Sequence, residues 1–522
     1  MLPARHVRKR RVWWKRLAII GAMSLASQPL DDAAAYQVIT ARDARFDGRL
    51  FVGVTSTGIY CRPICRVRTP LRKNCRFFDT PAQAEAAAFR PCLKCRPEIA
   101  PGAGLAWTVM DASRTLARQA ADALDTHADA ADTPSVAALA GRLGVSDRHL
   151  RRIFQSEHGV TPLQYLQTRR LLLAKQLLTD TRMPVAQVAL ASGFNSLRRF
   201  NAAFADSYRM SPSRLRGEVL EESPTPDAGI TVKLAYRAPY DVAALMRFVA
   251  LRAIPGIEHV SGQRIRRSVR AGTVAAVEGW VEAEFAAAPS LTQPSLLWLR
   301  FAPGLASASG AVVAAARRWL DLDAVPQAID AVLADLPGAA GLRLPGSLDA
   351  FELAVRAVLG QQVTVAAART LANRVVERFG TPIATPWPEV NRVFPAPQAL
   401  ASATVERIAE LGIIRTRAGA IIAIAQAWTE IAAHLIPHSR AEPLIERLCA
   451  LPGIGPWTAH YIAMRALSWP DAFPPNDVAV LKAMREQFQT TSQREADARA
   501  QAWQPWRSYA VLRLWNSLEK KP

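Results

Sequence analysis

A multidomain, mainly α-helical protein carrying two small α+β parts is the fold class this sequence predicts, on three observations. Its 522 residues are too many for one hydrophobic core, and at roughly 150 residues per domain they should divide into three or four. A helix, Gly turn, basic helix pattern occurs twice, about fifty residues apart. Five of the six cysteines crowd into one arginine-rich stretch, Cys61 to Cys95, which in so long a chain favours a metal site over a disulfide framework. The formal charge of +21 favours a polyanionic partner, nucleic acid before membrane.

Residues 1–35 open with Arg8, Lys9, Arg10, Arg11, Lys15 and Arg16 and continue into LAIIGAMSLAS, the layout of a secretory leader. Export would oxidise the thiols that follow and has no use for a chain handling intracellular DNA. The expectation is therefore a disordered basic tail, or a start codon set too far upstream, on a cytoplasmic protein of the bacterial nucleoid. No run of 18 apolar residues occurs elsewhere, so no membrane-spanning helix is expected.

Residues 36–105 should form a small α+β metal-binding domain. Cys61-x3-Cys65 followed by Cys92-x2-Cys95 is the spacing by which two short loops each give two thiolates to one tetrahedral Zn²⁺. Arg62, Arg66, Arg68, Arg72, Arg76, Arg90 and Arg96 surround it, while Cys75 lies outside the ligand pattern and reads as a small core residue. The segments TSTGIYCRP and FRPCLKCRP resemble the N-terminal domain of the Ada family of methyl phosphotriester repair proteins, over the whole domain. That resemblance implies that Cys61 is both a zinc ligand and the nucleophile that takes the methyl group irreversibly, and that Thr57, Arg68 and Arg90 contact DNA. Zinc would keep the sulfur deprotonated at neutral pH while cationic groups hold the phosphotriester.

Residues 112–217 contain the repeat. VAALAGRLGVSDRHLRRIFQSEHGVTP is echoed by VAQVALASGFNSLRRFNAAFADSYRMSP, each with a helix, a Gly turn (Gly144, Gly193) and a second basic helix ending in Phe (Phe154, Phe204). The pair resembles the AraC-type DNA-binding domain. Candidate groove-facing residues are Ser146, Arg148, His149 and Arg152 in the first copy and Asn195, Leu197, Arg198 and Asn201 in the second. Promoter DNA is the implied partner, with RNA polymerase beside it.

After an acidic, Pro-bearing linker at 218–229, residues 229–307 begin with strand-like alternation (ITVKLAY) and pass into an amphipathic helix. Further strands are expected at GTVAAVEGWVEAEF and SLLWLRFA, giving a second small α+β domain.

Residues 308–522 read as all-helical. In LPGIGPWTAHYIAMRA, Leu451 to Ala466, Gly453 and Gly455 can take backbone angles closed to other residues, and Trp457 onward continues as a helix. Backbone N–H groups at that helix start suit a DNA phosphate. Asp477 follows a Phe-Pro-Pro stretch, placed so that its carboxylate can face the hairpin. Hairpin, link and acid, with WQPWRSYAVLRLW downstream and LRLPGSLDAFELAVRAVLGQQVTVAAA upstream, resemble the helix-hairpin-helix DNA glycosylases, specifically the AlkA-type 3-methyladenine DNA glycosylase II family.

The resemblance extends to residues 229–307, which match the AlkA N-terminal domain. It implies Asp477 as the catalytic carboxylate, a base pocket of Trp457, Tyr461 and Trp515 with Phe248 reaching in from the preceding domain, and Gln362 filling the gap left by an extruded nucleotide. The best-known members have an apolar wedge where this chain has Gln362. A monovalent cation on the carbonyls of Cys449, Leu451 and Ile454 is also implied. Bifunctional superfamily members carry Lys where this chain has Trp457, so a monofunctional enzyme acting on damaged double-stranded DNA is expected. The alternative is a regulator whose C-terminal half only binds DNA; Asp477, Trp457 and the intact turn argue against it.

Overall fold

The computed structural model describes residues 30–102, 112–126, 135–217, 229–271, 277–286, 295–435 and 440–518. The expected basic tail up to residue 29 and the linker at 218–228 lie outside the described residues. The first helix among the described residues, α1 (Asp32–Ala41), begins inside the stretch expected to be tail. Asp31 caps it by accepting from Ala34 N, and Ala35, Val38 and Ile39 are buried, so local capping and an apolar face draw these residues into the fold.

Four short strands follow, β1 (Phe51–Val54), β2 (Ile59–Cys61), β3 (Cys75–Phe78) and β4 (Arg90–Pro91), in the order β3-β1-β2-β4. The parallel pairing of β4 with β2 puts Arg90 opposite Ile59, and so brings the second cysteine pair up against the first. Helix α2 (Pro81–Ala86) packs on this sheet. Cys75 is half-buried against the same core, donating to Leu71 O at 3.4 Å.

The repeat folds as two helix-turn-helix units. Helices α3 (Ala112–Thr126), α4 (Val136–Arg142) and α5 (Asp147–His158) form the first; α6 (Pro162–Asp180) links it to α7 (Val185–Ala191) and α8 (Leu197–Tyr208). Phe154 and Phe204 occupy equivalent fully buried positions. Thr161 and Gln164 close a capping box at the start of α6, satisfying otherwise orphaned N–H groups.

The next unit is a five-stranded antiparallel sheet, β5 (Ile230–Tyr236), β6 (Glu258–Ser261), β7 (Arg264–Ala271), β8 (Val277–Phe285) and β9 (Ser295–Phe301), ordered β5-β9-β8-β7-β6, with α9 (Val242–Arg252) between β5 and β6. Strands β6 and β7 were not expected. Strand β6 is only four residues long, Glu258–Ser261, and the outward positions of β7 include arginines, which mask the alternation yet are paired across the sheet: Arg264 with Glu284 at 2.7 Å and Arg266 with Glu282 at 2.7 Å. The expected boundary at 307 falls inside a continuous core rather than at its edge. Val312, Ala316 and Trp319 pack with the sheet residues, because the sheet's apolar face needs helices to cover it.

The C-terminal part is helical, as expected, save for a two-stranded ribbon, Thr381–Pro382 with Arg392–Val393. The helices that matter below are α10 (Ala350–Leu359), α11 (Val365–Phe379), α12 (Arg415–Gln426), α13 (Ala441–Cys449), α14 (Pro456–Ala466), α15 (Val478–Phe488) and α16 (Arg507–Leu518). Among the described residues no helix is long and apolar enough to cross a membrane.

Buried polar contacts tie the units together. Glu98, just past Cys95, meets Lys175 of α6 at 2.5 Å, and Arg96 meets Asp180 at 2.6 Å. Arg237 at the end of β5 donates to Asp47 O at 2.8 Å, and Gly102 N donates to Asp323 at 2.6 Å. Removing one member of such a buried pair strands a charge in a dry interface.

Candidate active site and nucleic-acid interface

The hairpin is α13, the turn Leu451–Gly455, and α14. Gly453 adopts φ +77°, and a Cβ there would sit 2.9 Å from Ala420 Cβ on α12, so only glycine serves. Gly455 differs from expectation. Its φ of −93° is open to any residue, but a Cβ there would meet nothing within 4 Å. Its contribution is therefore bare backbone at the start of α14, where first-turn N–H groups have no intrahelical acceptor.

Asp477 is 6 % exposed and is the N-cap of α15. Three donors converge on its carboxylate: Val480 N to Oδ1 at 2.8 Å, Trp515 Nε1 to Oδ1 at 3.1 Å and Trp457 Nε1 to Oδ2 at 2.8 Å. The cap thus fixes the carboxylate from its own helix, and the two indoles fix it from α14 and α16.

Trp457, Tyr461 and Arg465 follow one another at i, i+4 along α14. Trp457 and Tyr461 are stacked, with ring centroids 5.4 Å apart and planes 8° from parallel, and Trp515 lies 6.3 Å from Tyr461 at 43°. Arg465 donates to Tyr461 Oη at 2.9 Å and to Gly346 O at 3.2 Å, and also bonds Pro345 O. Burial pushes the Tyr461 phenol up, but the guanidinium groups of Arg465, Arg252 and Arg356 outweigh it and hold it below its usual value. Phe248 on α9 is buried behind this group. The Arg252 and Arg465 guanidiniums lie 3.8 and 4.8 Å from its ring centroid, so it reaches the pocket through Arg465. Arg465 was not singled out in the sequence; the i, i+4 run from Trp457 was the available signal.

Gln362 is exposed in the loop between α10 and α11, in the left-handed region at φ +53°. Its neighbour Gln361 turns inward to the hairpin. A cleft of about 450 Å³ lined by Gly256, His259, Arg369 and Asn391 lies elsewhere and includes none of the residues around Asp477.

In the N-terminal domain the Sγ atoms of Cys61, Cys65, Cys92 and Cys95 lie within 4.8 Å of one another, a set suited to one tetrahedral thiolate-bound zinc ion. Arg62 N donates to Cys95 Sγ at 3.3 Å, and Arg62, fully buried, is paired with Asp47. Thr57 is exposed in the β1–β2 turn, Arg68 is exposed after the first cysteine pair, and Arg90 N donates to Gly58 O at 2.8 Å beside that turn. In the helix-turn-helix units Arg148, Arg152 and Arg198 are exposed on α5 and α8, as are Leu197 and Asn201 on α8 and Asn195 in the turn before it. Arg152 lies against His149 Nδ1 at 3.2 Å. Ser146 caps α5 by accepting from His149 N at 3.2 Å, so part of its capacity is spent on the helix.

Four family models match in order along the chain: metal binding domain of Ada at residues 34–98, helix-turn-helix domain at 139–218, AlkA N-terminal domain at 231–349, and HhH-GPD superfamily base excision DNA repair protein at 355–508. The probable bifunctional transcriptional activator/DNA repair enzyme AlkA of Mycobacterium tuberculosis is 36% identical over 496 residues, 93% of this chain and 96% of that protein. DNA-3-methyladenine glycosylase 2 of Escherichia coli is 34% identical over 283 residues, 54% of this chain and 95% of that one. The Escherichia coli bifunctional transcriptional activator/DNA repair enzyme Ada is 35% identical over 142 residues, 27% of this chain and 37% of that protein.

Proposed function

The chain belongs to the family of bifunctional transcriptional activator/DNA repair enzymes of the AlkA type, and from that premise we propose that it hydrolyses the N-glycosidic bond of 3-methyladenine-type bases in duplex DNA, with Asp477 as the catalytic carboxylate. The observation that carries the reading is the three-donor cradle around Asp477. A carboxylate offers about four lone-pair sites; with three occupied, its position is set and one site is left for a water or the sugar. Bases alkylated at a ring nitrogen are cationic and leave easily, so the assistance needed is at the sugar. A fixed negative charge stabilises the oxocarbenium-like transition state and orients the water that completes the displacement.

The stack of Trp457 on Tyr461 leaves no slot between the two rings, so the extruded base packs on their free surfaces and against Trp515, with Phe248 and Arg465 behind. Electron-rich rings favour a cationic base. Gln362 fills the emptied position, and the backbone of Gly453 to Gly455 takes a phosphate. Trp457 stands where a Schiff-base lysine would be required, so the enzyme is monofunctional and leaves an abasic site. A monovalent cation on the carbonyls of Cys449, Leu451 and Ile454 would share Leu451 O with the Ile454 amide, which donates to it at 3.3 Å.

In the four-cysteine domain Cys61 Sγ attacks the methyl carbon of a phosphotriester. The S–C bond forms, the C–O bond breaks, and the phosphate regains its negative charge; a zinc ion held by Cys61, Cys65, Cys92 and Cys95 would keep the Cys61 sulfur a thiolate at neutral pH. Thr57, Arg68 and Arg90 contact the DNA there, and Arg148, Arg152 and Arg198 dock the two helix-turn-helix units on promoter DNA, with RNA polymerase recruited beside them. The decisive experiment is base release from a 3-methyladenine duplex by wild type and Asp477→Asn. The variant should keep binding damaged duplex and lose excision, since the carboxylate acts at the transition state; wild-type turnover would refute the assignment.

A further inference from the structure

We propose that Gln361 and Arg417 are positioning residues that lock the Gln362 wedge to the hairpin turn, so that phosphate capture and filling of the vacated base position occur in one rigid docking. This rests on the wedge role of Gln362 given above and adds the parts that hold the wedge in place.

Both N–H groups of the Gln361 amide are used. Nε2 donates to Gly453 O at 3.0 Å and to Thr458 Oγ at 3.0 Å. A carbonyl oxygen only accepts, so the amide can face it one way round. These bonds join the α10–α11 loop to the hairpin turn and to α14 over 92 and 97 residues of sequence. On its backbone side, Arg417 of α12 donates to Gln361 O. That oxygen belongs to the peptide plane between Gln361 and Gln362, and the orientation of this plane sets φ of Gln362.

Gln362 sits at φ +53°, a region a non-glycine residue keeps only when its surroundings over-determine it. Arg417 and the Gln361 side chain supply that constraint. Helix α12 also backs the turn itself, since Gly453 packs against Ala420, one turn along from Arg417. A single helix thus supports both DNA-contacting loops, and Gln361 bolts one to the other. Neither Gln361 nor Arg417 bonds Asp477, so their contribution is to extrusion rather than to bond cleavage.

The test compares Gln361→Ala, Gln361→Glu, Arg417→Ala and Gln362→Ala in single-turnover release of 7-methylguanine from two DNAs, one with the lesion paired and one with it in an unpaired bubble, where extrusion is already done. Gln361→Glu keeps the shape but turns an oxygen toward Gly453 O, and Arg417 is only half-buried, so these carry the test if Gln361→Ala does not fold. The three strut variants should lose about ten- to a hundredfold on the paired lesion, the scale of a small misplacement, and regain most of it in the bubble, as Gln362→Ala should. Equal losses on both DNAs, or wild-type rates for the strut variants beside a slow Gln362→Ala, would overturn the strut alone. A wild-type rate for Gln362→Ala on the paired lesion would remove the wedge reading and the strut with it.

Discussion

The indole Nε1 of Trp457 donates to Oδ2 of Asp477 at 2.8 Å, joining the first turn of the hairpin's second helix to the cap of the helix that follows. Trp457 therefore has two separable parts, a ring face stacked on Tyr461 and an N–H committed to the carboxylate. Trp457→Phe keeps an aromatic face and deletes the N–H. A hydrogen bond to a charged group contributes about 1.5–3 kcal/mol, so excision should slow by about ten- to a hundredfold at 1.36 kcal/mol per decade. Single-turnover kinetics with parallel binding measurements will check it, and lost affinity at unchanged rate would assign Trp457 to the pocket wall alone.

Product DNA should stay uncut until alkali or a separate nuclease is added. With Trp457 in place of an amine there is no Schiff base to reduce, so borohydride should trap no complex. A covalent adduct on denaturing gels would overturn the monofunctional reading.

Protein incubated with DNA bearing methyl phosphotriesters should gain one methyl, on the peptide containing Cys61. Cys61→Ser should hold zinc more weakly through three thiolates and gain none, whereas serine at Cys65, Cys92 or Cys95 should chiefly unfold the domain. Methylation turns an anionic sulfur into a neutral thioether, so promoter affinity should rise. Mass spectrometry placing the methyl on Cys65 or Cys92 would overturn Cys61 as the acceptor, and finding none would return the domain to a purely structural zinc site.

Burial pushes the Glu85 carboxyl up to about 8, although Tyr60 Oη donates to it at 3.1 Å. The folded state thus holds a proton that the unfolded chain releases near pH 4.5. The resulting stabilisation is complete below about pH 4.5 and is lost as the pH rises through about 8. Glu85→Gln, which stays neutral, should have nearly wild-type melting at pH 5 and melt higher by about 2–4 °C per kcal/mol recovered at pH 9. Melting curves in the two buffers decide it; an advantage independent of pH would place the effect elsewhere.

Much of this protein was legible in the residues alone, wherever a function is written into short spacing. The thiolate spacing of Cys61, Cys65, Cys92 and Cys95, the repeat ending in Phe154 and Phe204, and the LPGIG turn followed by Asp477 are all local patterns that turn chemistry, helical period or ligand geometry impose directly. Strand β7 escaped notice because its arginines look like solvated loop until Glu282 and Glu284 of the neighbouring strand stand opposite them, and the four-residue β6 is too short to show an alternation of its own. For Gly453 and Gly455 the same residue type meets two demands, one for a positive φ and one for open backbone, and identity cannot separate them. That two indole N–H groups hold Asp477, that Arg465 reaches Gly346 O, and that Gln361 grips Gly453 were decided by tertiary structure. Each joins side chains brought together, or turned toward one another, only when the helices pack, and periodicity along the chain carries no record of which atom of a side chain will face which neighbour.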